Sequence, residues 1–325
     1  MRVDPSVSVI IPAYNAAKTI GDAIRAVLSQ DYAGQVDLIV VDDGSSDHTE
    51  DIVRSFPGVV YVHQCNAGPA SARNRGAREA CGEFLFFTDS DCRPESSWIS
   101  KMLKGFLYQD VAVVAGSYGI ANPHSALARV IHQEIVYRHR VLMPDYPKAF
   151  GSYNFAVRKE FFEAVGGFNP SYRRASGEDN DLSYKIIARG GRILFLKHAL
   201  VDHYHQQFLG RYLREQYFHG LWRVKMYSDH PGMLTGDGYT FWKDIVEVPL
   251  VLLHVLSLIV PAYFLVLLAC FLVFEIIFGC LIMRSCGDGV LAGGVMWLRS
   301  FLRTTGFFSG GLLFLLNKFK FYKKK

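Results

Sequence analysis

The stretch Phe84-Leu85-Phe86-Phe87-Thr88-Asp89-Ser90-Asp91 decides the fold prediction. An apolar run of this kind is typical of a strand buried in a protein core. Two carboxylates follow it, one residue apart, where the strand would leave that core. Side chains two positions apart on an extended segment point the same way, so Asp89 and Asp91 can share one divalent cation. Oxygen ligands of this type suit Mg²⁺ or Mn²⁺.

Short apolar runs alternate with amphipathic ones over residues 6–120. This alternation predicts an α/β fold with a Rossmann-like, mostly parallel sheet and helices on both faces. The predicted strands are 7–11, 38–41, 59–62, 84–87 and 111–115, and the helices between them are 17–29, 47–56, 70–80 and 96–108. Further on, the sequence predicts a strand at 154–157 and helices at 123–140, 159–165, 178–189 and 208–227.

Polar residues cluster where three of the predicted strands end. Tyr14 and Asn15 follow the first strand, Asp42 and Asp43 the second, and Asp89 the fourth. Parallel sheets bind ligands at the carboxyl ends of their strands. There is no G-x-G-x-x-G and no P-loop, so a nucleotide would be held differently, for example by Asp42 or Asp43 accepting from a base N–H or a ribose hydroxyl. Helix capping by this segment is the alternative explanation.

Three further sites combine a possible chemical role with an ordinary structural one. Arg73 follows a helix start at Gly68-Pro69 and could contact a diphosphate or the Asp89–Asp91 loop, or lie in solvent. Glu178 and Asp179 begin a helix, where acids are common, yet a carboxylate beside a diphosphate could be a general base. His203 could ligate a Mn²⁺-like ion or be a surface or core histidine.

Taken together and in this order, these segments resemble family 2 glycosyltransferases with the GT-A fold. The resemblance covers roughly residues 6–225. The matching segments are 9–15, 40–47, the N-x-G-x-x-x-x-R-N-x-G pattern at 66–76, the D-x-D at 89–91, the acceptor-side segment at 151–168, and the E-D motif at 177–182.

This resemblance implies roles for individual residues. Asp179 would deprotonate the acceptor hydroxyl, giving inversion, and Glu178 would orient that base or the acceptor. The donor, a UDP-sugar by family analogy, would contact Pro12, Tyr14, Asn15, Asp42, Asp43, Arg73, Asp89 and Ser90. The cofactor Mn²⁺ or Mg²⁺ would be held by Asp89, Asp91 and His203.

One motif of the family's processive members is missing. They carry Q-x-x-R-W, whereas residues 216–223 read QYFHGLWR. The expected reaction is therefore transfer of one sugar to a lipid-linked or membrane-proximal glycan acceptor. A non-catalytic nucleotide-sugar-binding scaffold and a nucleotidyltransferase are the alternatives. No nucleic-acid partner is expected, because no zinc-finger, basic-zipper or RNA-binding signature is present.

The C-terminal part changes in hydropathy after about residue 244. Residues 248–274 carry no formal charge, and a helix of that length would extend roughly 40 Å, against about 30 Å for a bilayer core. Residues 289–317 are apolar apart from Arg299 and Arg303, which share one helix face and suggest an interfacial helix or a span packed on protein. We expect a catalytic domain at 1–230 and membrane-anchoring helices at 231–325, about 246–283 and 289–317.

Two membrane arrangements fit this pattern. One is a span near 261–283 that returns near 290–316, and the other is a proline-broken hairpin within 246–283 followed by an interfacial helix. The lysine-rich tail at 318–325 favours a cytosolic side. The six cysteines are scattered, which predicts reduced thiols, and the N-terminus has no signal-peptide pattern. The expected location is therefore the inner membrane, with the catalytic domain on its cytosolic face.

Overall fold

The computed structural model describes residues 4–174, 176–233, 242–259, 261–283 and 285–316. The chain divides into two compact units. Unit 1 comprises residues 1–121 and 143–204, and unit 2 comprises residues 122–142 and 205–325. The predicted domains, 1–230 and 231–325, stay a prediction. The lysine-rich tail lies outside the described residues.

Unit 1 contains an eight-stranded sheet with the order β3-β2-β1-β4-β7-β6-β8-β5. All five strands predicted for residues 6–120 are present, and each begins at or within two residues of its predicted start. The eight strands are β1 Val7–Ala13, β2 Val36–Asp42, β3 Val59–His63, β4 Phe84–Thr88, β5 Cys92–Pro94, β6 Val111–Ile120, β7 Asn154–Arg158 and β8 Arg192–His203.

The sheet is mixed. Strands β3, β2, β1 and β4 pair in parallel, and β6 pairs in parallel with β8. Strand β7 enters antiparallel between β4 and β6, and the short β5 pairs antiparallel with β8. Neither β5 nor β8 was predicted. The apolar run of β8 is interrupted by Lys197 and His198, where its register against β6 shifts between Gly116 and Ser117.

Eleven α-helices lie within the described residues. Those of unit 1 fall close to the predicted ranges. The helices are α1 Ile20–Leu28, α2 Thr49–Arg54, α3 Pro69–Glu79, α4 Trp98–Gly105, α5 Ala126–Tyr137, α6 Lys159–Ala164, α7 Glu178–Ala188, α8 Leu209–Asp229, α9 Trp242–Leu256, α10 Pro261–Ile282 and α11 Cys286–Leu315.

The core of unit 1 is built on its central strands. Ile10, Val40 and Phe86 are fully buried, and the ring of Trp98 from α4 packs edge-on against Phe86 with centroids 5.0 Å apart. Burial of these side chains supplies most of the stabilisation, at about 1.5–3 kcal/mol each. It also fixes where β1, β2 and β4 end.

The α-helices in the described part of unit 2 are α5, α8, α9, α10 and α11, and no strand lies in that part. Pro249 lies inside α9 without ending it, and the break before α10 falls at the 3₁₀ turn Ser257–Ile259. By length and composition, one described helix could cross a membrane, at Tyr263–Ile282. The predicted second stretch, 289–317, lies largely within α11.

Candidate active site

The loops after β1 and β2 are joined to each other. Asn15 is the one non-glycine described residue with positive φ, at 50°, a conformation that asparagine tolerates. Its Oδ1 accepts a hydrogen bond from the Ser46 N–H at 2.8 Å, and its own N–H donates to Ser45 Oγ at 2.9 Å. Tyr14 beside it is 56% exposed. The loop therefore presents an aromatic ring to solvent at the carboxyl end of the sheet.

Asp42 and Asp43 are both buried and hydrogen-bonded within the protein. Asp42 accepts from the Ser45 N–H at 2.9 Å and from the Tyr61 hydroxyl at 2.8 Å. Asp43 accepts from the backbone N–H of Ala67 and Gly68, at 2.9 and 2.8 Å. Asp43 therefore anchors the start of α3 to the end of β2, and Asp42 joins the loop after β2 to β3, roles that the sequence did not reveal.

Arg73 lies between the acidic residues that the sequence predicted to lie close together. Its Nη2 donates to Asp89 Oδ1 at 2.8 Å and its Nη1 to Glu178 Oε1 at 3.0 Å, with Asp179 Oδ1 at 3.9 Å. The side chain is 4% exposed, so it is not a solvated surface arginine. Removal of a buried charge from water is tolerated only when it is paired. The guanidinium thus links β4, α3 and α7.

Glu178 and Asp179 differ in access. Glu178 is buried, and its Oε2 accepts from the Ser176 N–H at 2.7 Å. The Asp179 side chain is 25% exposed, and its Oδ1 lacks a hydrogen-bond partner among the described residues. Burial raises the pKa of both carboxyl groups, with Arg73 acting in the opposite direction. Asp179 therefore combines a raised pKa with access to a ligand, which suits proton abstraction.

Asp91 lies in a group with two neighbours from the β5–β8 pair. Strand pairing sets Cys92 opposite His203, and His203 Nε2 lies 3.3 Å from Asp91 Oδ2. The ligand atoms of these three residues all lie within 4.8 Å of one another. Although burial opposes it, the charge and hydrogen bond of His203 lower the pKa of Asp91. A carboxylate with an imidazole suits a Mn²⁺-type ion.

The two carboxylates of the D-x-D turn have different partners. Asp89 is paired with Arg73, whereas Asp91 is paired with His203. Ser90 between them is half-buried, as is Pro12 near the end of β1. Cys92 was missed in the sequence analysis, because a cysteine in a predicted loop gave no sign of facing a histidine. That pairing depends on β5 and β8.

An aromatic stack supports His203. The ring of Tyr118 lies flat on that of Tyr153, with centroids 3.6 Å apart and an 8° angle, and 5.1 Å from the His203 ring. Tyr118 lies on β6 next to β8, and Tyr153 immediately precedes β7. The stack restricts the His203 imidazole on one side and was not foreseen from the sequence.

Comparisons with known proteins identify the family and relatives that this chain resembles. The family model "Glycosyl transferase family 2" matches residues 8–166, and "N-terminal domain of galactosyltransferase" matches residues 133–207. Glycosyltransferase AglE of Haloferax volcanii is 28% identical over 69% of this chain and 74% of AglE. Pre-mycofactocin glycosyltransferase of Mycobacterium tuberculosis is 29% identical over 69% of this chain and 48% of its own length.

A third relative has a more specific name. The UDP-Glc:alpha-D-GlcNAc-diphosphoundecaprenol beta-1,3-glucosyltransferase WfgD of Escherichia coli is 35% identical over 41% of this chain and 54% of WfgD. The chain thus matches only about half the length of WfgD and of the mycobacterial protein.

Two solved structures share the fold. The mannosyltransferase PcManGT from Pyrobaculum calidifontis aligns over 93% of this chain and 89% of its own, with 17% identity and a TM-score of 0.57. TarS 1-349 of S. aureus aligns over 66% of this chain and 64% of its own, with 19% identity and a TM-score of 0.50. The chain has the GT-A fold and belongs to the family 2 glycosyltransferases, enzymes that transfer sugars from nucleotide sugars.

Proposed function

We propose that this enzyme transfers one sugar, with inversion, from a nucleotide sugar to a hydroxyl of a lipid-linked or membrane-proximal glycan acceptor. One observation carries the proposal. Arg73 brings the first D-x-D carboxylate together with the Glu178–Asp179 pair. The group that faces a diphosphate and the group that would accept a proton are thereby held at one place.

The donor is proposed to be a UDP-sugar. TarS was solved with UDP and PcManGT with GDP-Man and Mn²⁺, so both nucleotides occur among similar folds. The exposed ring of Tyr14 is free to stack on a base. Residues at the ends of β1, β2 and β4 would form the rest of the donor site: Pro12, Asn15, Asp42, Asp43, Arg73, Asp89 and Ser90.

The residues present fit a divalent cation. We assign Asp91 and His203 as its protein ligands, with Asp89 of the same turn as the third member of the predicted set. The imidazole favours Mn²⁺ over Mg²⁺, which prefers oxygen ligands. When bound, the ion would neutralise charge on the departing diphosphate. Cys92 adds a soft sulfur beside these ligands.

Asp179 is the proposed general base. Its side chain is partly exposed to solvent, whereas that of Glu178 is buried. Burial also raises the pKa of Asp179 toward the pH at which the enzyme would work. A positioned base of this kind contributes about 10²–10⁴ in rate. Glu178, held by Ser176 and paired with Arg73, keeps the guanidinium in place. Direct attack by the deprotonated hydroxyl on the anomeric carbon inverts its configuration.

The proposal of a membrane-proximal acceptor, used at the cytosolic face, has two supports. WfgD is named for a diphosphoundecaprenol-linked sugar acceptor. Unit 2 also exposes many large apolar side chains on α9, α10 and α11, such as Leu256, Leu265 and Leu281. Such surfaces are typical of proteins that bind lipid.

The test is an assay of purified enzyme with Mn²⁺, a panel of nucleotide sugars and diphosphoundecaprenol-linked sugars as acceptors. We expect release of a nucleoside diphosphate together with a glycosylated lipid. Asp179→Asn should lose at least 100-fold in kcat. Asp51→Asn, which removes an exposed carboxylate at another helix start, is the matched control. Release of pyrophosphate would instead indicate a nucleotidyltransferase, and donor binding without turnover a scaffold.

A further inference from the structure

Helices α9, α10 and α11 of unit 2 have their charges inside and apolar side chains outside. Among the described residues 246–259, 263–283 and 285–316, no exposed residue is charged. Glu247, Glu275 and Arg299 of α9, α10 and α11 are instead buried, at 2%, 0% and 1% exposure. Soluble proteins show the opposite distribution, because buried charges are costly and exposed ones are not. Hydrocarbon around these helices would explain it.

The buried charges hold these helices together. Lys243 Nζ of α9 donates to Glu275 Oε1 of α10 at 2.8 Å and also to Glu247. Arg299 of α11 donates to Glu247 at 3.2 Å and to Glu134 of α5. Each carboxylate therefore has a cationic partner. The cluster leaves no free charge for a ligand, so we assign it a structural role.

Helices α10 and α11 run antiparallel. A Cβ built on Gly279 would lie 2.3 Å from the Gly289 carbonyl oxygen, so the backbones touch there. Further along, the Phe271 and Phe301 rings lie 6.0 Å apart. From the first contact to the second, the residue numbers fall in α10 and rise in α11, which defines the antiparallel arrangement.

Helix α8 runs parallel to α11. Arg303 Nε donates to Gln216 Oε1 at 2.7 Å. A Cβ on Gly306 would lie 2.0 Å from the Tyr217 carbonyl oxygen, and one on Gly310 would lie 2.4 Å from that of Leu221. In these contacts the residue numbers rise together in the two helices, so α8 runs parallel to the second half of α11. Glycines allow the two backbones to approach closely there.

This alignment conflicts with a membrane crossing by α10. Phe301 of α11 lies beside Phe271, near the middle of α10. Arg303, two residues further along α11, contacts Gln216 of α8. The exposed charged side chains of Arg214 and Glu215 are therefore level with that middle. If α10 stood across a bilayer, these charges would lie near the hydrocarbon centre, where charged side chains are most costly.

We infer that α9, α10 and α11 lie along one leaflet of a membrane, with α10 parallel to the surface and not crossing it. The inference rests on the membrane association in the proposed function. The lipid-facing surface of α10 is a stripe that includes Val266, Val273 and Cys280, each seven residues apart and so on one face. Helix α8 forms part of the opposite, polar side of the layer.

The test measures the depth of three points on this stripe. Three variants of the full chain are prepared, each with the buried Cys92 and one exposed cysteine. The first keeps Cys280 and has alanine at the other exposed cysteines. In the other two, alanine replaces all exposed cysteines and Val266→Cys or Val273→Cys is added. Each is labelled with a bimane and bound to phosphatidylethanolamine–phosphatidylglycerol vesicles. Lipids brominated at known carbon positions quench the label according to its depth.

We expect all three labels to be quenched strongly and to report the same depth. A crossing helix would place residue 273 deeper than residues 266 and 280 by about 10 Å, since seven helical residues rise about 10 Å. A helix inserted end-on would give a graded series. Either result would overturn the inference.

The controls separate this inference from the proposed function. Arg214→Cys on α8 and Asp51→Cys in unit 1, labelled in the same way, should show little quenching. Protein that floats with vesicles but shows no quenching at the stripe would mean that a second copy or another protein covers it, and would also refute the inference. Failure to float would refute membrane association, whereas sugar transfer to a soluble acceptor tests the catalytic proposal independently.

Discussion

The guanidinium of Arg73 lies 2.8 Å from Asp89 and 3.0 Å from Glu178. These two carboxylates come from segments 89 residues apart in the chain, and a single buried cation compensates both. The site therefore depends on Arg73 for its electrostatic balance as well as for its geometry.

Replacement of Arg73 should damage both stability and activity. Arg73→Ala leaves Glu178 buried without its partner, which should lower the free energy of unfolding by about 3–5 kcal/mol. Arg73→Lys should keep the charge but lose the two-pronged geometry, and so retain more stability than activity. Urea denaturation and kcat measure the two effects.

The control for Arg73 is on the same helix. Arg75→Ala removes an exposed ion pair with Glu79, and such pairs contribute about 0–1 kcal/mol. Equal losses in the Arg73→Ala and Arg75→Ala variants would contradict the central role of Arg73.

The pH dependence should reveal Asp179. Burial raises the pKa of this carboxyl group, and the charge of Arg73 lowers it. A general base is inactive when protonated, so kcat/KM should fall as the pH drops through the pKa of Asp179. Asp179→Asn cannot take up the proton, so its residual activity should no longer show this acidic limb.

Ser100→Ala is the control. The exposed Ser100 hydroxyl donates a hydrogen bond to Asp31, away from the site, so this variant should keep the native pH profile of kcat/KM. An Asp179→Asn enzyme whose residual activity kept the same acidic limb would argue against Asp179 as the base.

The metal ligands should differ in their preference for hard and soft ions. His203→Ala should weaken Mn²⁺ binding at least 10-fold, whereas Cys92→Ser should leave it within about 2-fold, because thiols favour softer ions. Cd²⁺ should bind the native protein with a thiolate absorption band that Cys92→Ser removes. Calorimetry and ultraviolet absorption report these effects without an activity assay.

Asp202→Asn is the matched control for His203, since it alters the neighbouring residue, which pairs with Arg93. Loss of Mn²⁺ binding in Asp202→Asn equal to that in His203→Ala would point to a disturbed β8 rather than to a lost ligand.

Two glycines have similar positive φ angles but differ in the space around them. Gly68 and Gly58 have φ of 90° and 81°. A Cβ on Gly68 would lie 2.6 Å from the Arg173 carbonyl oxygen, whereas one on Gly58 would meet nothing within 4 Å. Gly58→Ala should cost about 1–2 kcal/mol from the left-handed conformation alone.

Gly68→Ala should cost more than Gly58→Ala in thermal or urea unfolding. It should also weaken nucleotide binding, because the Gly68 N–H holds Asp43. Similar unfolding free energies for the two variants would show that the loop around Arg173 yields easily.

The sequence was sufficient where local pattern and burial agree. The run Phe84–Thr88 ends in acids because the core ends there, and so this strand and the parallel part of the sheet were predicted correctly. Contact of Arg73 with the Asp89–Asp91 loop was one of the alternatives from the sequence, whereas its partner Glu178 lies 105 residues away, and no local pattern encodes that contact. The proximity of Cys92 to His203 required β8, whose polar interruption concealed it.

The reversal of strand direction at β7 has an evolutionary consequence. Every proposed nucleotide contact comes from the first 90 residues, whereas Glu178 and Asp179 come after β7. Mutations after this strand can alter the proposed acceptor side while the first 90 residues keep the proposed donor contacts. New acceptor preferences can therefore arise in such a lineage without a change in the activated sugar it consumes.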